Sequence, residues 1–383
     1  MSKFGGGSTR MEAIRVGAAV SLSGRYREQG IQSLTGISLW VDDVNRDGGL
    51  YVRDRKQKVP LELWHYDDQS KRKSTINIVK KLISCDQVDL LIGPYSSALT
   101  IEAANVATSL NRVLWNHGGA SDAVHAGESG WVVDILTSAN SYMRGMIDLI
   151  SCELPKVRNV AIVSSHKGSF PLAVASGAEN YAKQKGFCVP VMLQYDPDKP
   201  EFEFLIEQVR RDNAEVIIGV GRIEDDIRLA RELEHRNLKL AAVALVAAGI
   251  GRFNEELGRL SCGFMGPSQW EPGTPHNVDY GPSVGVMSEK LSMRPEGCDY
   301  PVAQAYATGL VAQRCVEEGG TLDNWILRRI AGKLDMTTFF GPFKLDPVTG
   351  VQVGHCTLVV QWENGHKVTV WPKELRQAAP IFC

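Results

Sequence analysis

Strand and helix signals alternate from the start of this chain, and that alternation restricts the fold more than any other feature. Ile14 to Val20 is an apolar, β-branched run closing on Ser21-Leu22-Ser23-Gly24. Ile31, Leu34, Ile37, Val41 and Val44 then recur at helical spacing until Asn45-Arg46-Asp47-Gly48-Gly49 ends the pattern. Val59 to Tyr66 reads as the next strand and Asp67-Asp68-Gln69-Ser70 as the cap of a following helix. Val88 to Ile92 reads as a third strand, running into Gly93-Pro94-Tyr95-Ser96-Ser97. Strands separated by helices imply a mostly parallel α/β sheet, and such sheets hold small ligands at the carboxyl ends of their strands. Hydroxyls and aromatic rings stand at those ends.

After a break near residues 134 to 155 the alternation repeats. Val160 to Ser164, Val189 to Leu193, Val216 to Val220 and Leu240 to Leu245 read as strands. Between them lie helical segments: Pro171 to Lys185, a face marked by Phe202, Leu205, Ile206 and Val209, and Glu224 to Arg236 with Ile227, Ala230 and Leu233 on one side. A strand-like run from Gly263 to Met265 opens on Gly266-Pro267-Ser268-Gln269-Trp270, and Pro301 to Leu334 is helical again. Past Gly341-Pro342 the pattern turns to β. Cys356 to Trp362 and Lys367 to Trp371 flank Asn364-Gly365, a hairpin signal because both residues tolerate positive φ. The chain is thus expected to finish in a small antiparallel addition, and residues 1–11, with Gly5-Gly6-Gly7-Ser8, to be a disordered leader.

A length of 383 residues suits two domains. Hydrophobic residues at 44%, charged residues at 22% and a formal charge of -2 give no electrostatic case for nucleic acid as a direct partner. No segment has the apolar length of a membrane span, and residues 1–10 lack the apolar core of a secretory signal. A cytoplasmic location follows from the sequence as written, a periplasmic one if the true start or signal lies elsewhere. The eight cysteines show no CxxC pair, which argues against structural zinc. Several fall within apolar runs, where buried, reduced thiols are expected. Ser21-Leu22-Ser23-Gly24 is not a GxGxxG phosphate loop, Gly219-Val220-Gly221 lacks the third glycine and later acid, and neither GxSxG nor a P-loop occurs. Binding without chemistry is therefore the expectation, with no catalytic residue, metal or cofactor.

Four motifs, in order, resemble the type I periplasmic-binding-protein family in its branched-chain amino acid and amide receptor branch. They are Val16-Gly17-Ala18-Ala19-Val20-Ser21-Leu22-Ser23-Gly24, Val44-Asn45-Arg46-Asp47-Gly48-Gly49, Tyr66-Asp67-Asp68-Gln69-Ser70 and Leu91-Ile92-Gly93-Pro94-Tyr95-Ser96-Ser97. The resemblance implies two Rossmann-like, doubly wound lobes joined by three chain crossings and closing as a hinge on a ligand. Lobe one would be residues 12–134 plus 267–337, and lobe two 135–266 plus 338–373. It also implies a receptor for a small polar solute of amino acid, amide or carboxylate type. The partner would be an ABC-transporter permease or, alternatively, a regulatory protein served by a cytoplasmic amide-type sensor.

Carried over from the resemblance, Ser97 would hydrogen-bond the ligand, with Ser96 and Tyr95 beside it; the other reading is that Ser96 or Ser97 caps the helix beginning near Ala98. In Trp115-Asn116-His117-Gly118-Gly119-Ala120-Ser121-Asp122, Gly118 and Gly119 permit close backbone approach. Ala120 replaces the family's threonine, with Ser121 next to it. His117 would donate to a ligand or satisfy a loop carbonyl. From lobe two, Phe170 would be an aromatic lid, and Ala247-Ala248-Gly249 stands where amino-acid receptors often carry an acid for the ammonium. Either Glu224, Asp225 or Glu271 substitutes, or the ligand has no ammonium. Arg222 would pair with a carboxylate or serve as a helix-start residue; Trp270 and Tyr26 would be cleft walls or ordinary packing.

Overall fold

The computed structural model describes residues 13–126, 130–293 and 299–382; the predicted leader lies outside them. In chain order the first part runs β1 (Ile14–Val20), α1 (Arg27–Arg46), β2 (Leu50–Val52), β3 (Gln57–Val59), β4 (Leu61–Asp67), α2 (Arg72–Ser84), β5 (Leu90–Ile92), α3 (Ser97–Ser109), β6 (Leu114–Asn116) and β7 (Val132–Asp134). The middle runs α4 (Arg144–Glu153), β8 (Asn159–Ser165), α5 (Ser169–Gln184), β9 (Cys188–Tyr195), α6 (Phe202–Arg211), β10 (Val216–Val220), α7 (Ile223–His235), β11 (Ala242–Leu245), α8 (Gly251–Leu257) and β12 (Met265–Ser268). The rest comprises α9 (Val284–Ser292), α10 (Tyr300–Gly319), α11 (Asn324–Ala331), β13 (Asp335–Thr338), β14 (Gly341–Lys344), β15 (Leu358–Glu363) and β16 (His366–Trp371).

Two large sheets organise the described residues. One has the order β4-β1-β5-β6-β7, all parallel. The other has the order β16-β15-β12-β11-β10-β8-β9, parallel from β12 to β9 and antiparallel at β15 and β16. Helices cover both faces, which is why β5, β6, β7, β10 and β11 are buried along their whole length. The strand order reverses between β1 and β5 in the first sheet and between β8 and β10 in the second, and each reversal opens a crevice at the strand carboxyl ends. The body around each sheet is called lobe one and lobe two below.

Several expectations are corrected by the structure. Pro60 divides the predicted Val59 strand, so that β3 pairs with β2 as a hairpin and β4 begins at Leu61. The Asp67 to Ser70 segment does not cap α2, whose N-cap is Lys71 with no side-chain bond. Asp67 instead accepts the Leu22 amide at 2.9 Å and the Ser23 hydroxyl at 2.7 Å, and Asp68 accepts the Ser21 hydroxyl at 2.6 Å. These bonds hold the loop after β1 to the end of β4. Gly266, Pro267 and Ser268 are strand rather than loop, paired with β15 in lobe two, so the chain leaves lobe two only after Ser268. β13 and β14 pair with each other, so the predicted boundary at 337/338 falls inside a hairpin that cannot be shared between lobes. Five of the six described cysteines are exposed and only Cys315 is buried; all six are free, and Cys298 and Cys383 lie outside the described residues.

The C-terminal hairpin forms as predicted around Asn364 and Gly365, both at positive φ, and extends the second sheet. The alternation of β-branched strands with amphipathic helices is realised throughout: Phe202, Leu205, Ile206 and Val209 are the buried residues of α6. Where α1 crosses α10, a Cβ on Gly36 would lie 2.2 Å from the Val302 carbonyl, and one on Gly309 would lie 2.1 Å from the Trp40 ring. Close approach here requires glycine. Trp40 is fully buried and its indole donates to Gln313 at 3.0 Å.

Candidate functional site

The candidate site lies where the carboxyl ends of β1, β5 and β6 face those of β8, β10 and β11. At the end of β5, Ser96 takes φ 82° and its hydroxyl accepts the Leu99 amide, so Ser96 is the helix cap. That frees Ser97 for another task. Its buried Oγ accepts the Ser121 amide at 3.0 Å, which fastens the loop after β6 to the start of α3 and leaves the Ser97 hydroxyl proton able to donate. Ser121 Oγ accepts the Ala123 amide, and the Ala120 carbonyl accepts the Ala139 amide at 2.7 Å.

Asn116 builds the loop between. Its Oδ1 accepts the amides of Gly118 at 3.1 Å and Gly119 at 2.9 Å, while its Nδ2 donates to Gly119 O at 2.8 Å and to Asp134 at 2.5 Å. Gly118 O accepts the Ser96 amide. The polar backbone of Gly118 and Gly119 is thus spent within the loop. The glycines are needed for packing: a Cβ on Gly118 would lie 2.4 Å from Pro94 O, and one on Gly119 would lie 2.5 Å from Thr100. His117 is buried, with Nδ1 lacking a partner among the described residues, and burial pushes its imidazole down to about 4, so it is neutral at ordinary pH.

Aromatic rings gather from both lobes. Tyr26 and Tyr95 meet edge-on at 6.3 Å, the hydroxyls of Tyr95 and Tyr300 face each other, and Tyr142 meets Phe170 edge-on at 5.2 Å. Tyr142 lies within electrostatic reach of Tyr300, and its hydroxyl accepts from Gln269 Nε2 at 2.8 Å. Burial pushes the Tyr95 phenol up to about 12, keeping it a neutral donor. Sequence reading named Tyr26, Tyr95 and Phe170 but missed Tyr142, in the turn before α4, and Tyr300, the first residue of α10, neither of which gave a strand-end signal. It also missed Ser164, at the end of β8, whose buried Oγ has no partner among the described residues.

Two predicted contacts take other roles. Arg222 donates Nε to Asp225 at 2.9 Å and Nη2 to Pro197 O at 2.5 Å, a helix-start arrangement that neutralises its charge. Trp270 is 1% exposed, donates Nε1 to Phe339 O at 3.0 Å and packs its ring on Phe339, which makes it part of the crossing's core. The candidate replacement acids are also engaged. Glu224 pairs with Arg252 at 2.9 Å, Asp225 with Arg222, and Glu271 with Lys367 at 2.9 Å. A further acid, Asp226, stands behind Ala247-Ala248-Gly249 and accepts the Ala247 amide at 2.9 Å. Burial raises its carboxyl well above the ordinary range, favouring the neutral form. Among the described residues, no group of three or more His, Cys, Asp and Glu side chains is placed to hold a metal, and no helix is long and apolar enough to cross a membrane.

The lobes touch across the cleft. Asp299, the N-cap of α10 in lobe one, accepts the Gly251 amide at 3.2 Å and the Lys367 ammonium at 3.3 Å from lobe two, and Lys367 also donates to Gly249 O at 3.0 Å. A polar cavity of about 260 Å³ lined by Glu271, Pro272, Asp299, Lys367 and Gln377 adjoins this clasp.

Comparison with known proteins agrees with this architecture. A Leu/Ile/Val-binding protein homolog from Brucella abortus is 23% identical over 245 residues, 62% of this chain and 58% of that protein's length. The branched-chain amino acid transporter substrate binding protein of Streptococcus pneumoniae, solved with isoleucine, superposes with a TM-score of 0.75 at 15% identity, covering 94% of this chain and 100% of that one. An ABC transporter solute binding protein from R. palustris, solved with benzoate, gives 0.74 at 15% identity, covering 94% and 96%. Both likenesses establish the type I periplasmic-binding-protein fold. The periplasmic binding protein family model matches residues 13–367, and the chain belongs to that family.

Proposed function

We propose that this protein is the substrate-binding component of an ABC importer, whose lobes close on a small carboxylate or amide, aromatic acids included, that lacks an α-ammonium group. The observation that carries this reading is the commitment of the acids that could stand in at Ala247-Ala248-Gly249. Ala247-Ala248-Gly249 offers none, Glu224, Asp225 and Glu271 are each paired with a basic side chain, and Asp226 is buried toward its neutral form. An ammonium closed against Ala247-Ala248-Gly249 would lack a counter-charge, at a cost of several kcal/mol. The rings of Tyr26, Tyr95, Tyr142, Phe170 and Tyr300 suit an aromatic or flat solute, and Ser97 retains a proton to donate to its carboxylate or amide oxygen. The benzoate-bound neighbour supports the ligand class, and the transporter receptors among the neighbours support the importer role.

Thermal-shift measurements with benzoate, 4-hydroxybenzoate, benzamide, leucine and isoleucine at equal concentration test the proposal. A ligand at a hundred times its dissociation constant stabilises by about 2.7 kcal/mol, a readily measured shift. The acids and the amide should raise the melting temperature above either amino acid. A larger rise with leucine or isoleucine overturns the ligand class.

A further inference from the structure

We infer that His125 is a positioning residue for the loop after β6, acting through Asp134 and Asn116, and that its proton sets the order of that loop. His125 ends the short turn Asp122–His125, beyond Ser121. Its Nε2 lies 2.5 Å from Asp134 Oδ2 and its Nδ1 lies 3.1 Å from the carbonyl of Thr349. Both neighbours are acceptors, so the ring satisfies both only by donating from both nitrogens, as the imidazolium. A neutral ring protonated at Nδ1 would set a lone pair against the carboxylate, and one protonated at Nε2 would abandon Thr349.

The next bonds in the chain follow from the same donor and acceptor logic. Asp134 Oδ1 accepts from Asn116 Nδ2, which fixes the amide so that its Oδ1 faces the Gly118 and Gly119 amides. One side chain therefore carries the state of Asp134 into the backbone of the loop that abuts Ser97. The other end of the relay reaches the connection between β14 and β15, where Thr349 and Gly350 sit; Asp134 N donates to Gly350 O at 3.2 Å. His125 thus joins the candidate ligand loop to the end of β7 and to the connection between β14 and β15.

The charged groups around the ring favour the imidazolium. Burial works against its charge, but the Asp134 carboxylate, with Thr349 and Asp122, outweighs burial and lifts the imidazole above its ordinary value. From α11, Arg328 directs its guanidinium to the carbonyls of Gly130, Pro347 and Val348, and Asp346 takes the amides of Val348 and Thr349. From α3 the hollow beside His125 is lined by Ala104, Asn105 and Thr108, none of them charged. A folded value above the unfolded one of about 6.5 means that the contribution is fully present below pH 6.5 and is lost as pH rises through the folded value.

That this loop serves a ligand rests on the proposed function, so the test uses the protein without ligand. With histidine and glycine labelled with nitrogen-15, the ring nitrogens of His125 and the exchange of the Gly118 and Gly119 amides are followed from pH 6 to 9. The ring is expected to keep both protons to higher pH than an unperturbed imidazole, with loop protection, corrected for intrinsic exchange, falling about tenfold as the ring deprotonates. His125→Gln should remove the pH step, and Asp134→Asn should lower protection throughout. A His125 ring that loses its proton at or below the pH of an unperturbed imidazole, or the same pH step in His125→Gln, overturns the inference. A failed ligand screen leaves this measurement intact and overturns only the proposed function.

Discussion

Ser97 shows how a hydroxyl at a strand end is fixed by an accepted bond while its own proton stays available. Ser96 takes the cap, and Ser97 holds the Ser121 amide while keeping its own proton to give. Ser97→Ala should weaken binding of whichever carboxylate or amide stabilises the protein by about 1–3 kcal/mol, the cost of leaving buried polar partners unsatisfied. Calorimetric titration measures it, and an unchanged affinity would return Ser97 to a purely structural role. Ser97 entered as a candidate contact through the family resemblance, while its bond to the Ser121 amide was not visible in the sequence. The fate of Arg222 was not visible either, since a basic residue at a strand end reads the same whether it waits for a carboxylate or is already bound to Asp225. Gly118 and Gly119 were read as opening the backbone to a ligand; Asn116 takes their amides instead, a side-chain contact that no glycine spacing reveals.

Elements were read well where one periodicity governs and less well where a neighbouring strand decides. α6 and β10 follow their apolar patterns closely. Gly266-Pro267 reads as a turn, because proline cannot donate to a ladder, yet both residues are in β12. The strand tolerates this because β11 pairs with it only at Met265, while β15 pairs along its length. The packing of α1 on α10 depends on absent side chains at Gly36 and Gly309. Gly36→Ala places a methyl group against the Val302 backbone, which cannot swing aside as a side chain can. It should destabilise the fold by about 1–3 kcal/mol, read as a lower denaturant midpoint at unchanged slope. A wild-type midpoint would show that the two helices can part at no cost.

At the scale of the whole molecule, the feature with most consequence is the contact between lobes. Asp299 on lobe one takes the Gly251 amide and the Lys367 ammonium from lobe two, and Lys367 is further held by Glu271 and Gly249 O. Because Gly249 and Gly251 bound the loop that faces the cleft, this clasp ties closure to the site itself. On the proposed function, a ligand touching Ser97 on one side and Phe170 on the other would stabilise the closed arrangement by its differential affinity for it. Small-angle scattering should therefore show a smaller radius of gyration at saturating ligand. An unchanged profile with a ligand that demonstrably binds would rule out hinge closure as the response.

The sequence by itself determined the fold class, the repetition of the strand–helix pattern that forms two large sheets, and the placing of candidate contacts at strand ends, because those rest on local periodicity and on the geometry of parallel sheets. It also carried the absence of an acid at Ala247-Ala248-Gly249. Tertiary structure decided which charged groups are spent on one another: Glu224 on Arg252, Glu271 on Lys367, and His125 on Asp134 across a turn and a strand. It likewise brought Tyr142, from a turn, and Tyr300, from the start of α10, close to one another. Such pairings depend on distances between segments far apart in the chain, and hydrophobic patterning fixes only the face on which a residue lies, not the partner it meets there.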